Sequence, residues 1–273
     1  NPFDFGKISY LHSQNDILSA GGKVKSLSVS VGVPFSEKYV EKFYLEYFME
    51  GIKFESDKDD CIISSGHSYQ SQEPGITLTL NGEIENSVSK NSAKEGDLIY
   101  LSKPLGSGYL LAAYFNNSEM LSGNDFEKIL DNLKKGNLFV VNSAKNSGSQ
   151  TMTDISGFGL SSHLADVCLS SNLSSKIKLS SDILINSNID LLRKFQSTGF
   201  KNNRQFSREY INISENHPFE NILFDPQTNG PMLIAISKQN QIKFENCFSN
   251  ETNIKPILIG RFINKLEKAI YVS

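Results

Sequence analysis

The chain has 273 residues, with 27 Lys and Arg against 30 Asp and Glu, for a formal net charge of −3. Its pI near 5.9 gives no electrostatic reason to expect nucleic acid or an anionic membrane as a partner. No apolar run is long enough to cross a bilayer and no signal-peptide pattern opens the chain. Cys61, Cys168 and Cys247 are isolated, so we expect buried free thiols in a cytoplasmic protein. The first residue is Asn1, from which we expect a fragment or processed product of a longer chain.

Helical and strand patterns take turns in the first part of the chain. Alternating apolar residues over 27–33 predict a half-buried strand. The apolar spacing over 40–48 predicts a helix that Ser36 caps and Gly51 ends. A second strand is predicted over 76–80.

A stretch rich in Ser and Asn over 85–96 predicts a solvated linker, because it has too little apolar surface to pack. Beyond it, the alternation of strands and helices resumes. We predict strands over 97–101, 231–236, 256–259 and 269–272, and helices over 107–115 and 126–133. Such alternation is typical of the α/β (α+β) class, here with two halves.

Two motifs that combine glycine with a carboxylate stand out. Residues 153–159 read Thr-Asp-Ile-Ser-Gly-Phe-Gly and open an apolar helix, and residues 225–230 read Asp-Pro-Gln-Thr-Asn-Gly. Glycines let the backbone approach a ligand, and the Asp154 carboxylate is of the kind that holds a divalent cation. The alternative for Asp154 is a helix cap. For Asp225 we favour a structural role in a turn over a catalytic one.

Further short blocks accompany these two. They are Asn-Pro-Phe-Asp-Phe-Gly at 1–6, followed by Asp16 and Gly21-Gly22; Gly66-His67-Ser68 with Glu73-Pro74; and Gly96-Asp97 with Lys103-Pro104-Leu105-Gly106. In this order the blocks resemble selenophosphate synthetase (selenide, water dikinase). No Gly-x-x-x-x-Gly-Lys-[Ser/Thr] and no Gly-x-Gly-x-x-Gly occurs, so a P-loop and a dinucleotide fingerprint are both excluded.

The resemblance implies a PurM-like architecture of two domains. Residues 1–84 would form an N-terminal ATP-binding and dimerisation domain, incomplete at its start, and residues 97–273 a C-terminal domain. It also implies a homodimer, with ATP and Mg²⁺ as cofactors and no nucleic acid or membrane as partner.

The same resemblance implies the site residues. Asp16 and Asp154 would bind magnesium, and Asp16 would also lie close to the nucleotide. Gly66, His67 and Ser68 would form a loop that touches ATP from the partner subunit. We expect Asp16 and Asp154 to converge on one cleft between the two halves, because polyphosphate and magnesium need several oxygen ligands.

The function that the resemblance implies is an ATP-dependent phosphotransferase that makes selenophosphate, AMP and phosphate from ATP, selenide and water. The family's Cys and Lys segment is not in this sequence, so we assign no catalytic residue and expect the chain alone to be inactive. The alternative is a catalytically degenerate family member that serves as a scaffold or regulatory domain, with or without fusion to a flavin-dependent oxidoreductase. A thiamine monophosphate kinase is disfavoured by the Gly-Phe-Gly and Asp-Pro-Gln-Thr motifs.

Overall fold

The computed structural model describes residues 1–116 and 119–273. The chain divides into two units, Asn1–Ser87 and Val88–Ser273, each with its own sheet. Both units combine helices with sheet, so the predicted α/β (α+β) class is confirmed. In the described part of the chain, no helix has the length and apolar character needed to span a membrane.

The first unit packs two helices on one three-stranded sheet. Its sheet order is β2-β1-β3, in which β1 runs parallel to β2 and antiparallel to β3. The apolar core lies between sheet and helices and includes Tyr10, Leu27, Phe48 and Ile52. The elements are α1 (Pro2–Ser19), β1 (Lys23–Pro34), α2 (Lys38–Ser56), β2 (Ile62–Ser71) and β3 (Gly75–Glu83).

Helices α1 and α2 approach each other through a pair of glycines. A Cβ atom on Gly51 would lie 2.1 Å from the carbonyl oxygen of Phe3, and one on Gly6 would lie 2.3 Å from that of Phe48. The prediction that Gly51 ends the helix is therefore wrong, since α2 continues to Ser56. The glycine is a helix contact and not a terminator.

The start of α2 also differs from the prediction. Glu37 is the residue at the N-cap position, and it makes no side-chain capping bond. Ser36 lies one residue earlier, and its hydroxyl donates to the carbonyl of Pro34 over 3.0 Å. Ser36 therefore closes the turn after β1 instead of capping the helix.

The second unit is built on a seven-stranded sheet of order β5-β8-β4-β9-β6-β10-β7. Its strands are β4 (Leu98–Leu101), β5 (Thr151–Asp154), β6 (Leu173–Ile177), β7 (Ile211–Asn212), β8 (Met232–Ile236), β9 (Ile257–Asn264) and β10 (Ile270–Val272). Its helices are α3 (Ser107–Phe115), α4 (Gly123–Leu133), α5 (Leu138–Asn146), α6 (Gly159–Ser170), α7 (Ile189–Lys194), α8 (Phe200–Ser207) and α9 (Gln241–Thr252). The interior strand β8 is buried along its whole length, as are the apolar residues of α6 except Leu169.

Candidate functional site

Asp154 is the last residue of β5, at the point where the chain leaves the sheet. It lies opposite Met232 of β8 and is only 6% exposed. Its carboxylate accepts no hydrogen bond from any residue that the structure describes. Helix α6 begins at Gly159 with Phe158 at its N-cap position, so Asp154 is not the cap of that helix. A nearly buried carboxylate without a hydrogen-bond donor is suited to bind a cation.

His163 lies on the first turns of α6 beside this carboxylate. Its Nε2 accepts the backbone N–H of Ser156 over 3.3 Å, which places the ring proton on Nδ1. Burial lowers the pKa of His163 below its ordinary value, and the negative charge of Asp154 acts against that shift. The imidazole therefore holds the loop after β5 and lies within the electrostatic reach of Asp154.

The two glycine motifs of the second unit are in direct contact. The backbone N–H of Gln227 donates to the carbonyl of Ser156 over 3.0 Å. A Cβ atom on Gly230 would lie 1.9 Å from the carbonyl oxygen of Ile155, so glycine is required for this approach. The loop that carries Asp154 is therefore shaped by the second motif.

Asn203 of α8 ties the same two loops together. Its amide nitrogen donates to the carbonyl of Gly157 over 2.8 Å and to that of Phe224 over 3.0 Å. The side chain is 6% exposed, so both hydrogen bonds are sheltered from water. Both N–H groups of this single amide thus join the loop after β5 to the loop before β8.

The Asp-Pro-Gln segment covers the N-terminus of α3. The side-chain oxygen of Gln227 accepts the N–H groups of Gly106 and Ser107, at 2.9 and 3.2 Å. The Asp225 carboxylate accepts the N–H of Gly108 over 3.2 Å. These are the donors that a helix N-terminus leaves unpaired.

Asp225 is 1% exposed, and burial raises its pKa to about 7. Its Oδ2 also accepts an N–H of Gln227 over 2.9 Å, whereas Oδ1 has no partner in the described chain. A Cβ atom on Gly108 would lie 2.5 Å from Oδ1, so the carboxylate packs directly against the first turn of α3. These contacts agree with the structural role that the sequence analysis favours for Asp225.

In the first unit, Asp16 lies near the C-terminal end of α1 and is exposed. Its backbone carbonyl accepts the hydroxyl of Ser19 over 3.0 Å and the N–H of Ala20 over 3.3 Å. Gly21 follows with a φ of +81°, a left-handed conformation that favours glycine. The Gly-Gly pair thus turns the chain from α1 into β1.

Gly66, His67 and Ser68 are exposed, but they lie in a strand and not in a loop. They occupy the middle of β2, where His67 is the register partner of Ser30 on the parallel strand β1. The expected phosphate-cradling loop is therefore wrong in its local structure, because pairing with β1 keeps this segment extended. A cavity of about 450 Å³ lies along these residues and is lined also by Val29 and Met49.

The two predicted magnesium ligands belong to different units, so their convergence stays a prediction. Across residues 1–116 and 119–273, no three His, Cys, Asp or Glu side chains gather into a group that could hold a metal ion. Neither Asp16 nor Asp154 therefore belongs to a cluster of three or more such side chains in those ranges. Magnesium keeps several waters and takes phosphate oxygens, so one or two carboxylates are the usual protein contribution.

The sequence interpretation missed two residues that shape the Asp154 loop. Gln227 stands in a motif that gives it no role of its own, and Asn203 belongs to none of the motifs described above. Their contacts join residues distant in sequence, so neither spacing nor periodicity could indicate them. Their one visible signal was the presence of an amide inside or beside a turn.

Comparisons with known proteins agree with this architecture. The family described as AIR synthase related protein, C-terminal domain, matches residues 94–273. The selenide, water dikinase of Shewanella sp. (strain MR-7) is 29% identical over 263 residues, covering 95% of this chain and 73% of that protein. That of Shewanella baltica (strain OS185) is 28% identical over 264 residues, with the same coverage.

Solved structures show the same fold at low identity. The thiamine monophosphate kinase of Aquifex aeolicus has a TM-score of 0.70 at 19% identity, covering 100% of this chain and 81% of that one. The corresponding enzyme of Stenotrophomonas maltophilia K279a reaches 0.74 at 15% identity, covering 100% and 79%. E. coli HypE, a hydrogenase maturation protein, reaches 0.70 at 12% identity, covering 98% and 75%.

These findings confirm the PurM-like fold and the resemblance to selenide, water dikinase that the motifs indicated. The family match spans more than half of the chain. The chain therefore belongs to the AIR synthase related, or PurM-like, family, whose C-terminal domain it carries over residues 94–273.

Proposed function

We propose that the chain is part of an ATP-dependent phosphotransferase of the selenophosphate synthetase type. The reaction would convert ATP, selenide and water into selenophosphate, AMP and phosphate. The relatives named selenide, water dikinase support the substrate. Solved neighbours described as complexes with AMPPCP or with ATP support nucleotide binding.

The observation that carries this proposal is the Asp154 carboxylate. It is 6% exposed, has no hydrogen-bond donor among the described residues, and stands at the end of a strand whose following loop is held by Gln227 and Asn203. A structural aspartate in such a place would accept hydrogen bonds, as Oδ2 of Asp225 does. An unpaired one supplies the hard oxygen that magnesium takes.

Asp16 is the second proposed magnesium ligand, on the first unit. Its exposure near the end of α1 leaves it accessible to a metal bound to polyphosphate. When bound, magnesium neutralises the negative charge that builds up on phosphate oxygens during transfer. The chain's own contribution is to hold the two carboxylates on rigid elements, one at the end of a helix and one at the end of a strand.

Gly66, His67 and Ser68 are proposed to contact ATP from the partner subunit of a homodimer built on residues 1–84. Their strand β2 lies at the edge of its sheet with an unpaired row of backbone groups, a template for association. Ile62 and Tyr69 on this strand are 68% and 46% exposed, which adds apolar area for an interface. Light scattering that shows a monomer at high concentration would contradict the dimer.

The magnesium assignment is tested by calorimetric titration of AMPPCP into the chain, with and without Mg²⁺. Asp154→Asn keeps the shape of the side chain and removes its charge, so Mg²⁺-dependent affinity is expected to fall at least about tenfold. Asp166→Asn is the matched control. Asp166 lies on α6, is exposed, and forms a surface ion pair with Lys90 at 2.8 Å, so its loss should leave affinity unchanged.

The reaction itself is tested by measuring AMP released from ATP with and without selenide. Because the family's Cys and Lys segment is not in this sequence, the chain alone is expected to show no selenide-dependent release, and release at the rate of a complete family member would contradict that expectation. Nucleotide binding that depends on Mg²⁺ and falls in Asp154→Asn supports the proposed function, whereas binding that Asp154→Asn leaves unchanged would favour the catalytically degenerate alternative. Equal affinities of the wild-type chain and Asp154→Asn would overturn the magnesium assignment.

A further inference from the structure

A cavity of the second unit lies between helices α6 and α8. Its volume is about 390 Å³, within the range of small-molecule sites. The hydroxyls of Ser161 on α6 and Ser207 on α8 lie 2.6 Å apart, and both residues are buried. This sheltered hydrogen bond holds the two helices against each other, so the walls of the cavity are fixed by the core of the unit.

Aromatic rings near the start of α6 and near the end of α8 line this cavity. The ring centroids of Phe158 and His163 are 6.3 Å apart, and those of Phe206 and Tyr210 are 6.4 Å apart. Phe158 is 63% exposed and Phe206 is 64% exposed, so most of each ring faces water. Large apolar rings exposed together mark a binding surface, because a ligand that covers them removes apolar area from water.

His163 adds a directional polar group to this apolar lining. Its Nε2 accepts the backbone N–H of Ser156, so the ring proton is on Nδ1. That Nδ1–H donates to no residue in the described ranges, and His163 is only partly buried. An acceptor atom of a ligand in the cavity would therefore complete the hydrogen bonding of the ring.

The charged groups of the cavity compensate each other. Lys90 and Asp166 are the Lys, Arg, Asp and Glu side chains among the described residues that line it, and they form an ion pair at 2.8 Å. Burial lowers the pKa of His163, so its ring is uncharged at neutral pH. The lining thus offers neither a free cation to a phosphate nor a free carboxylate to an ammonium group. A neutral ligand matches it better than an ion does.

We propose that this cavity binds a small neutral molecule with a planar heteroaromatic ring system. The rings of Phe158, Phe206 and Tyr210 pack against the ring of the ligand, and the Nδ1–H of His163 donates to a ring nitrogen. Asp154 is not among the described residues that line the cavity, so the site is separate from the candidate magnesium site. A bound ligand restrains the loop after β5, because Phe158 belongs to that loop and His163 holds it.

The test is a two-dimensional NMR titration of the intact chain with three bicyclic probes: quinoxaline, indole and N-methylquinolinium. Quinoxaline is neutral and has ring nitrogens that accept, so it should bind with a dissociation constant below about 1 mM and shift the signals of the lining residues. Indole has a ring N–H in place of an acceptor and should bind about threefold or more weakly, although it is the more apolar probe. N-methylquinolinium carries a charge and should bind more weakly still.

Three outcomes of this titration would overturn the proposal. One is the absence of shifts at the lining residues with quinoxaline. Another is binding of indole or N-methylquinolinium as tight as that of quinoxaline. The third is displacement of quinoxaline by saturating AMPPCP with Mg²⁺, because the cavity would then belong to the nucleotide site.

Variants of Phe206 locate the binding, since this ring is exposed and its replacement should leave the thermal midpoint unchanged. Phe206→Leu keeps an apolar side chain without a ring and should lower the affinity for quinoxaline several-fold. Phe206→Trp should retain that affinity, and because the chain has no other Trp, quenching of its fluorescence reports the binding directly. Phe139→Leu is the matched control at an exposed position on α5 that does not line this cavity, and it should change nothing. Equal affinities of Phe206→Leu and Phe139→Leu would refute the site.

Discussion

The backbone N–H of Gln227 donates to the carbonyl of Ser156 across 3.0 Å, and this one bond joins two loops that lie far apart in the sequence. The side chain of Gln227 meanwhile accepts the first N–H groups of α3. One residue therefore fixes both a helix end and the loop that follows Asp154. The position of the proposed magnesium ligand depends on this arrangement rather than on the strand alone.

Replacing Gln227 with Ala should destabilise the second unit. The change removes the acceptor for the N–H groups of Gly106 and Ser107 in a site where Gln227 is 3% exposed, leaving buried donors unpaired. We expect a loss of about 2–4 kcal/mol in the free energy of unfolding, measured by urea denaturation. Gln205→Ala, at an exposed position on α8, should cost less than about 0.5 kcal/mol. Equal effects of the two changes would contradict the capping role.

Asn203 and Asn202 are adjacent on α8 and provide a matched pair. Asn203→Ala removes both amide hydrogen bonds to the loops around the site, whereas Asn202 is exposed. Asn203→Ala should lower the free energy of unfolding by about 1–3 kcal/mol. It should also weaken Mg²⁺-dependent AMPPCP binding, because the Asp154 loop loses a restraint. If Asn202→Ala weakened binding to the same extent, the loop restraint would not be the cause.

The sequence predicted those elements whose signal is local. Alternation over 27–33 and over 76–80, and the helix over 107–115, were read correctly because apolar spacing there follows the buried face. The failures at Ser36 and Gly51 came from residues whose role is set by a distant partner. From the sequence alone Gly51 indicates a helix end, because its contact with Phe3 of α1 is formed only in the folded chain.

In the candidate site, too, the features with a local sequence signal could be predicted, and those set by distant residues could not. Asp154 could be singled out because it stands in a motif that opens a helix, but the strand that it ends, β5, was not predicted. That its carboxylate is unpaired could not be known, because it depends on where Gln227, His163 and Asn203 direct their own hydrogen bonds. The extended form of Gly66, His67 and Ser68 likewise depends on pairing with β1.

Asp225 should make stability depend on pH. Burial raises its pKa from 3.8 to about 7, so between these values the folded chain holds a proton that the unfolded chain releases. Its contribution is therefore favourable below about pH 4 and is lost as the pH rises towards 7, by roughly 4 kcal/mol in total. Asp225→Asn lacks this loss. Urea denaturation should therefore show that, between pH 4.5 and pH 8, the free energy of unfolding of the wild-type chain falls relative to that of Asp225→Asn. A difference that does not change with pH would contradict a buried, protonated Asp225.

The contact between α1 and α2 predicts a large effect of one methyl group. Gly51→Ala would place a Cβ atom 2.1 Å from the carbonyl oxygen of Phe3, so the helices must separate or tilt. Because Phe48 and Ile52 beside it are 1% and 0% exposed, separation would also open the core of the first unit. We expect a loss of about 2 kcal/mol or more in the free energy of unfolding, which calorimetric or urea melting measures.

The control for this change is Gly123→Ala. Gly123 is the first residue of α4, and a Cβ atom there would meet no atom within 4 Å. Alanine reduces the freedom of the unfolded chain, so this variant should be unchanged or more stable by about 0.4–1 kcal/mol. The same substitution thus has opposite expected signs at two helical glycines, and only the packing at Gly51 accounts for the difference. Stability of Gly51→Ala equal to that of the wild-type chain would mean that α1 and α2 do not cross as closely as their backbones indicate.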